Sequence, residues 1–180
     1  MIHLWHELSA GPRPPDIVYA VIEVPKGSRN KYEYAKRAGV IKLDRVLYSS
    51  LHYPGDYGFI PQTYFEDGDP LDILVMVNEP TFPGCVIEAR PIAMFKMIDK
   101  GDPDYKILAV PATDPHFNDY VDLNNVPKHF PTEVMHFFMT YKQLEGAEVK
   151  NEGWTDASGA RDTIRHALDL YHETFPTQGL

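Results

Sequence analysis

The segment YFEDGDPLDILVMV places three carboxylates, Asp67, Asp69 and Asp72, within six positions and directly before an apolar run. If these groups faced a shared cleft about 5 Å apart, each pair would repel by roughly 3 kcal/mol at an effective dielectric of about 20. The sum, about 10 kcal/mol, is comparable to the whole stability of a typical domain. The carboxylates therefore either face bulk water, where repulsion is weak, or surround a positive charge.

Residue spacing argues against two common metal sites. Counted from Asp67, an EF-hand calcium loop needs a ligand at position five and glycine at position six, where Leu71 and Asp72 stand. The eight histidines do not pair at the spacing of zinc ligands. A magnesium ion, which binds through a few carboxylates and keeps several waters, is the remaining candidate.

A second acidic stretch, DKGDPDYK, offers Asp99, Asp102 and Asp104, again just before an apolar strand pattern. Either stretch alone is typical of a solvated turn, and we interpret Asp102 as a turn residue before Pro103. Two such stretches, together with Glu23 on an otherwise apolar strand face, favour a metal site over two unrelated turns.

Basic side chains accompany the carboxylates. Lys31, Arg45 and Lys106 stand at or near strand positions, and Lys106 shares a strand face with Asp104 by the period of two. Each alone is typical of an exposed side chain lying along the surface. Metal-binding carboxylates beside Lys and Arg donors are what an anionic phosphate substrate bridged by Mg²⁺ requires.

The elements that must position these residues are predicted to be short strands followed by two helices. The segment DIVYAVIEVP alternates between two faces, CVIEARPIAMFKMID predicts a strand bent near Pro91, and YPGDYGFIPQTY predicts an aromatic loop. Five or more short strands separated by turns predict a closed or partly closed barrel. Apolar spacing predicts helices over 131–144, ending at Gly146, and over about 160–175, with Ser158 as the N-cap.

Composition narrows the functional classes. The 180 residues, 43% of them hydrophobic, predict one domain over 1–180, and the net charge of -9 argues against a nucleic-acid partner. The beginning of the chain lacks a secretory signal, no run of about 18 apolar residues occurs, and Cys85 is the single cysteine. We therefore expect no membrane partner and a cytoplasmic location.

In this order, the segments IEVP, KYE, LDR, YPGDYG, DGDPLDI, MIDKGDPDYK and HFFMTYK resemble the family I soluble inorganic pyrophosphatases. The resemblance covers about residues 17–175, and DGDPLDI is its most specific element. It implies a mainly β fold with flanking helices (α+β), in which a five-stranded OB-like β-barrel precedes C-terminal helices. The short length resembles the prokaryotic branch, which implies a homo-oligomer, commonly a hexamer.

The resemblance also implies an activity and a set of roles. The activity is Mg²⁺-dependent hydrolysis of pyrophosphate to two phosphates, with several Mg²⁺ ions per subunit and Mn²⁺ or Zn²⁺ as substitutes. Asp69 matches the general base, and the expected metal ligands are Asp67, Asp72, Asp99, Asp104 and Glu23, with Asp72 shared by two metal ions. The expected substrate-binding residues are Lys31, Arg45, Tyr57, Lys106, Tyr141 and Lys142.

Two other functions remain as alternatives. A nucleotide or polyphosphate hydrolase would use the same metal cleft, although the sequence offers no evident nucleoside pocket. An OB-fold module that binds single-stranded nucleic acid would use the barrel and its aromatic residues, but it lacks the expected positive charge.

Overall fold

A closed ring of five strands forms the centre of the fold. The computed structural model describes residues 2–176. Its strands are β1 Val18–Val24, β2 Asn30–Ala35, β3 Val40–Val46, β4 Asp56–Phe59, β5 Asp72–Val75, β6 Val86–Asp99, β7 Asp102–Pro103, β8 Lys106–Pro111 and β9 Val149–Asp156. Around the ring, β1 pairs with β4, β4 with β5, β5 with β8, β8 with β6, and β6 with β1. The expected mainly β fold with a five-stranded barrel is confirmed.

Strand β4 corrects one of the sequence predictions. The segment YPGDYGFIPQTY was expected to be a loop, yet Asp56–Phe59 within it is a buried strand of the ring. Gly58, which resembles a turn residue in the sequence, is required by packing, because a Cβ at this position would lie 1.8 Å from the carbonyl oxygen of Val21 on β1. Only glycine allows these two strands to approach so closely.

Two α-helices lie in the last third of the chain, as expected. Helix α1 spans His129–Thr140, and a short 3-10 turn at Gln143–Glu145 ends at Gly146 with a φ of 77°. Helix α2 spans Ala157–Thr174, and its N-cap is Asp156 rather than the expected Ser158, because the Asp156 carboxylate accepts a hydrogen bond from the Gly159 N–H.

Strand β6 connects most of the sheet. Its first part pairs with β1, its middle with β8 and its last part with β9, which the sequence pattern did not predict. The pairing with β8 shifts register between Pro91 and Ala93, where a bend was expected. Strands β2 and β3 form a separate two-stranded hairpin beside the ring.

The chain segment before β1 packs against the outside of the ring. Trp5 is buried in a cluster with Tyr34, Phe59 and Tyr171, and its indole N–H donates to the Thr63 carbonyl oxygen at 2.8 Å. Across residues 2–176, neither helix combines the length and apolar character needed to cross a membrane.

Candidate active site

A cleft of about 420 Å³ gathers carboxylates and ammonium groups from distant parts of the chain. Eleven of the twelve residues predicted from the sequence line it: Glu23, Lys31, Tyr57, Asp67, Asp69, Asp72, Asp99, Asp104, Lys106, Tyr141 and Lys142. The barrel strands β1, β4, β5 and β8 contribute to one wall, and the β2–β3 hairpin contributes to another. Residues that are up to about 120 positions apart therefore form one concave, highly charged surface.

The parallel pairing of β5 with β8 builds the centre of the cleft. Asp72 and Lys106 are the first residues of these strands and stand opposite each other in the register. The Lys106 ammonium forms ion pairs with Asp72 and with Asp104, and the Tyr57 hydroxyl donates to Asp72 Oδ2 at 2.6 Å. The Lys106 side chain is only 3% exposed, so these carboxylates replace its lost water contacts.

Burial and charge compete at this lysine. Burial alone would lower the pKa of Lys106, but the negative charges of Asp104 and Asp72 outweigh it and raise the pKa above its ordinary value. Burial, followed by the same two carboxylates, raises the pKa of the Tyr57 hydroxyl. Lys106 is thus a permanent cation, and Tyr57 is a permanent hydrogen-bond donor.

A second ion pair lies beside the first. Lys142, just after α1, pairs with Asp99 Oδ2 at 2.5 Å, and its ammonium lies 5.3 Å from the Tyr141 ring centroid. The other carboxylate oxygen of Asp99, Oδ1, is buried and has no hydrogen-bond partner among the described residues. An unpartnered buried carboxylate oxygen that lines a cleft is a candidate ligand for a cation.

A β-bulge places Glu23 in the cleft. The register between β1 and β4 passes from Ile22 opposite Gly58 to Val24 opposite Tyr57, so Glu23 has no partner on β4. Its Oε1 accepts a hydrogen bond from the Tyr34 N–H at 2.6 Å. Burial is the main cause that raises the pKa of Glu23 to about 8, and the charge of Asp72 adds to it.

Glu23→Gln is expected to stabilise the metal-free protein by up to about 5 kcal/mol at alkaline pH. The pKa of about 8 in the folded state exceeds the ordinary value of 4.5, so the folded protein holds this proton more tightly than the unfolded chain. The stability of the wild type therefore falls as pH rises from 4.5 towards 8, whereas glutamine removes this dependence and keeps the acceptor for Tyr34. Thermal unfolding in EDTA across this range measures the difference, and parallel pH curves would contradict the expectation.

The acidic turn before β5 adds two carboxylates to the rim. Gly68, with a φ of 84°, allows the turn, in which Asp67 Oδ1 accepts from the Asp69 N–H at 3.1 Å. Desolvation, then the charges of Asp72 and Asp104, raises the pKa of Asp67 to about 7. Asp69 forms an ion pair with Lys36, which also lines the cleft.

Arg45 is the one predicted residue that does not line this cleft. It lies in a neighbouring cavity of about 800 Å³, where it pairs with Glu145 at 2.9 Å and with Asp44. Lys31 and Lys142 line both cavities, which makes the two spaces neighbours.

Sequence reasoning missed several residues of the cleft. Asp102 lies in strand β7, not in a turn, and it lines the cleft together with Glu33, Lys36 and Lys100. Lys100 has a φ of 53°, a conformation that non-glycine residues rarely adopt. The sequence carries no motif that marks Lys36 or Lys100 as cleft residues.

The carboxylates fit divalent cations by their chemistry. Hard cations prefer carboxylate oxygens, and the buried Asp99 Oδ1 has no hydrogen-bond partner among the described residues. Burial, with a smaller contribution from the charge of Asp72, raises the pKa of Glu23 and of Asp67. Within residues 2–176, no three Asp, Glu, His or Cys side chains form a ready chelate. Lys106 and Lys142 instead pair with Asp72, Asp104 and Asp99.

Comparison with known proteins identifies the family of the chain. The family described as inorganic pyrophosphatase matches residues 20–172. The chain is 54% identical to an inorganic pyrophosphatase of Haloferax volcanii, over 97% of this chain and 99% of that protein. It is 47% identical to soluble inorganic pyrophosphatase 4 of Arabidopsis thaliana, over 94% of this chain and 78% of that protein.

A solved structure gives the same result. The crystal structure of inorganic pyrophosphatase from Thermus thermophilus superposes with a TM-score of 0.91 at 44% identity, over 94% of this chain and 99% of that one. The similarity in fold and in sequence extends along almost the whole length: this chain belongs to the inorganic pyrophosphatase family.

Proposed function

We propose that the chain hydrolyses inorganic pyrophosphate to two orthophosphates with Mg²⁺, in the cleft described above. The observation that carries the proposal is the convergence of carboxylates and ammonium groups in one cavity of about 420 Å³. Membership of the inorganic pyrophosphatase family supports the reaction and a divalent metal. Mg²⁺ as the physiological ion, with Mn²⁺ or Zn²⁺ as substitutes, is the finer part of the proposal.

The roles of the acidic residues follow from their places in the cleft. Asp67, Asp72, Asp99 and Asp104 would hold Mg²⁺ ions directly, and Glu23 would contribute through water. When bound, these ions neutralise charge on pyrophosphate and lower the pKa of a water molecule. Asp69, at the exposed rim, would orient the attacking water or accept its proton.

The basic and phenolic residues would bind the substrate. Lys31, Lys106, Lys142 and the hydroxyls of Tyr57 and Tyr141 line the same cleft and offer donors to phosphate oxygens. Arg45 would join them from the neighbouring cavity after releasing Glu145. These donors neutralise an anion whose charge otherwise repels the incoming water, so the bond between a phosphorus and the bridging oxygen breaks more readily.

The purified protein is expected to release two phosphates per pyrophosphate in the presence of Mg²⁺ and to lose this activity when EDTA removes the metal. A coupled phosphate assay with metal titration measures both effects, and ATP and tripolyphosphate serve as competing substrates. Absence of phosphate release from pyrophosphate at saturating Mg²⁺, Mn²⁺ and Zn²⁺ would refute the proposal.

We further propose a single domain over 1–180, a cytoplasmic location and a homo-oligomer, specifically a hexamer. Exposed apolar side chains such as Phe82 and Leu144, 65% and 68% exposed in the single chain, are compatible with contacts between subunits. Light scattering on the purified protein tests the subunit number.

A further inference from the structure

The carboxylate of Asp69 pairs with one basic side chain among the described residues. Within the described chain, Lys36 is the single Lys, Arg or His that forms an ion pair with Asp69. The Asp69 side chain is 59% exposed and stands on a surface turn, where a carboxylate has many accessible rotamers. Asp69 therefore depends on Lys36 for a fixed direction.

Lys36 is itself held from two sides. Its ammonium lies 5.4 Å from the ring centroid of Trp5, and its carbonyl oxygen lies 2.6 Å from Nε2 of His3. Trp5 is 6% exposed and is fixed by its hydrogen bond to the Thr63 carbonyl oxygen. The ammonium thus rests between an immobile aromatic face and the Asp69 carboxylate.

We propose that Lys36 is a positioning residue for the hydrolysis: it holds the Asp69 carboxylate in the direction needed to orient water, and the segment that carries Trp5 fixes Lys36 in turn. The inference rests on the proposed function, because it acts through the role given to Asp69. A lysine that instead bound pyrophosphate directly would act independently of Asp69, which gives the two roles different kinetic signatures.

Lys36→Met should lower kcat for pyrophosphate by about 10- to 100-fold, because a misplaced catalytic group loses its alignment with the water. KM should change less than about threefold, since the ground-state contacts with the substrate remain. Lys36→Arg should restore kcat to within about fivefold of the wild type, because the guanidinium can also pair with the carboxylate and cover the indole ring. The melting temperature should shift by less than about 4 °C, as expected for a part-exposed ion pair.

A double-mutant cycle with Asp69→Asn gives the decisive test. If Lys36 acts through Asp69, Lys36→Met causes no additional loss of kcat in the Asp69→Asn background. Lys150→Met, which removes an exposed lysine of β9 outside both cavities, serves as the matched control and should leave kcat unchanged.

The outcomes separate the inference from the proposed function. A wild-type kcat in Lys36→Met would overturn the positioning role, and so would losses of kcat that multiply in the double variant. Neither result would contradict the proposed hydrolysis of pyrophosphate. A rise in KM without a fall in kcat would also overturn it, in favour of direct substrate binding. A wild-type kcat in Asp69→Asn would overturn the role of Asp69 in the proposed function, and the positioning role with it.

Discussion

Asp72→Asn lowers kcat for pyrophosphate by about 10³-fold in our expectation, the largest effect of any single substitution in the cleft. Asp72 is the carboxylate that the resemblance assigns to two metal ions, and it also accepts hydrogen bonds from Lys106 and Tyr57. Asparagine keeps the size and the acceptor oxygen but removes the negative charge that attracts divalent cations. Steady-state kinetics over a range of Mg²⁺ concentrations measures the loss.

The control for this experiment is Asp119→Asn, which removes an exposed carboxylate outside the cleft. It should retain wild-type kcat and show that the loss does not come from the change in net charge. Thermal unfolding of Asp72→Asn checks that the barrel remains folded. Near-normal turnover in a folded Asp72→Asn protein would disprove the assignment of Asp72 as a shared ligand.

Lys106→Met is expected to lower kcat by about 10²-fold. The same substitution is expected to strengthen the binding of divalent cations. The ammonium competes with metal for Asp72 and Asp104, so its removal leaves two carboxylates free for the cation. Without metal, the same variant should lose about 3–5 kcal/mol of stability, because a buried ion pair is broken and its carboxylates remain. Bound Mg²⁺ should recover part of that loss by mass action.

Calorimetric titration with Mg²⁺ and thermal unfolding with and without the metal test these two opposite effects. Lys150→Met again provides the control, since it removes one charge from the surface of β9. Unchanged or weaker cation binding by Lys106→Met would show that the lysine does not compete with the metal.

The sequence predicted those strands and helices whose local hydrophobic pattern matches the face that is buried in the fold. The alternation in β1 and the helical spacing in α1 and α2 each follow from which face is buried. Strand β4 was missed because Gly58 resembles a turn signal, whereas it is required by the approach of Val21 on another strand. Strand β9 was missed because its segment VKNEGWTD is largely polar and becomes a strand by pairing with β6.

In the candidate site, too, some features were predictable from the sequence and others were not. Residue types, together with the resemblance of the ordered segments to the inorganic pyrophosphatases, were enough to predict eleven residues that share the cleft. The partners of those residues were not predictable, because Lys36 reaches Asp69 over 33 positions and Arg45 reaches Glu145 over 100 positions. Such pairings depend on how the hairpin and the barrel meet, which no local pattern contains.

The parallel register of β5 and β8 couples the packing of the core to the alignment of Asp72 with Lys106. In a β-strand, a shift of one residue turns every side chain to the opposite face. A slipped pairing would therefore move Ile73 and Ile107 out of one core cluster, towards the face occupied by Leu74 and Leu108, and would separate Asp72 from Lys106. The core and the charged cleft therefore cannot be optimised by independent mutations along these strands. During evolution, selection for turnover would have preserved the barrel, and selection for a stable barrel would have preserved the alignment on which turnover depends.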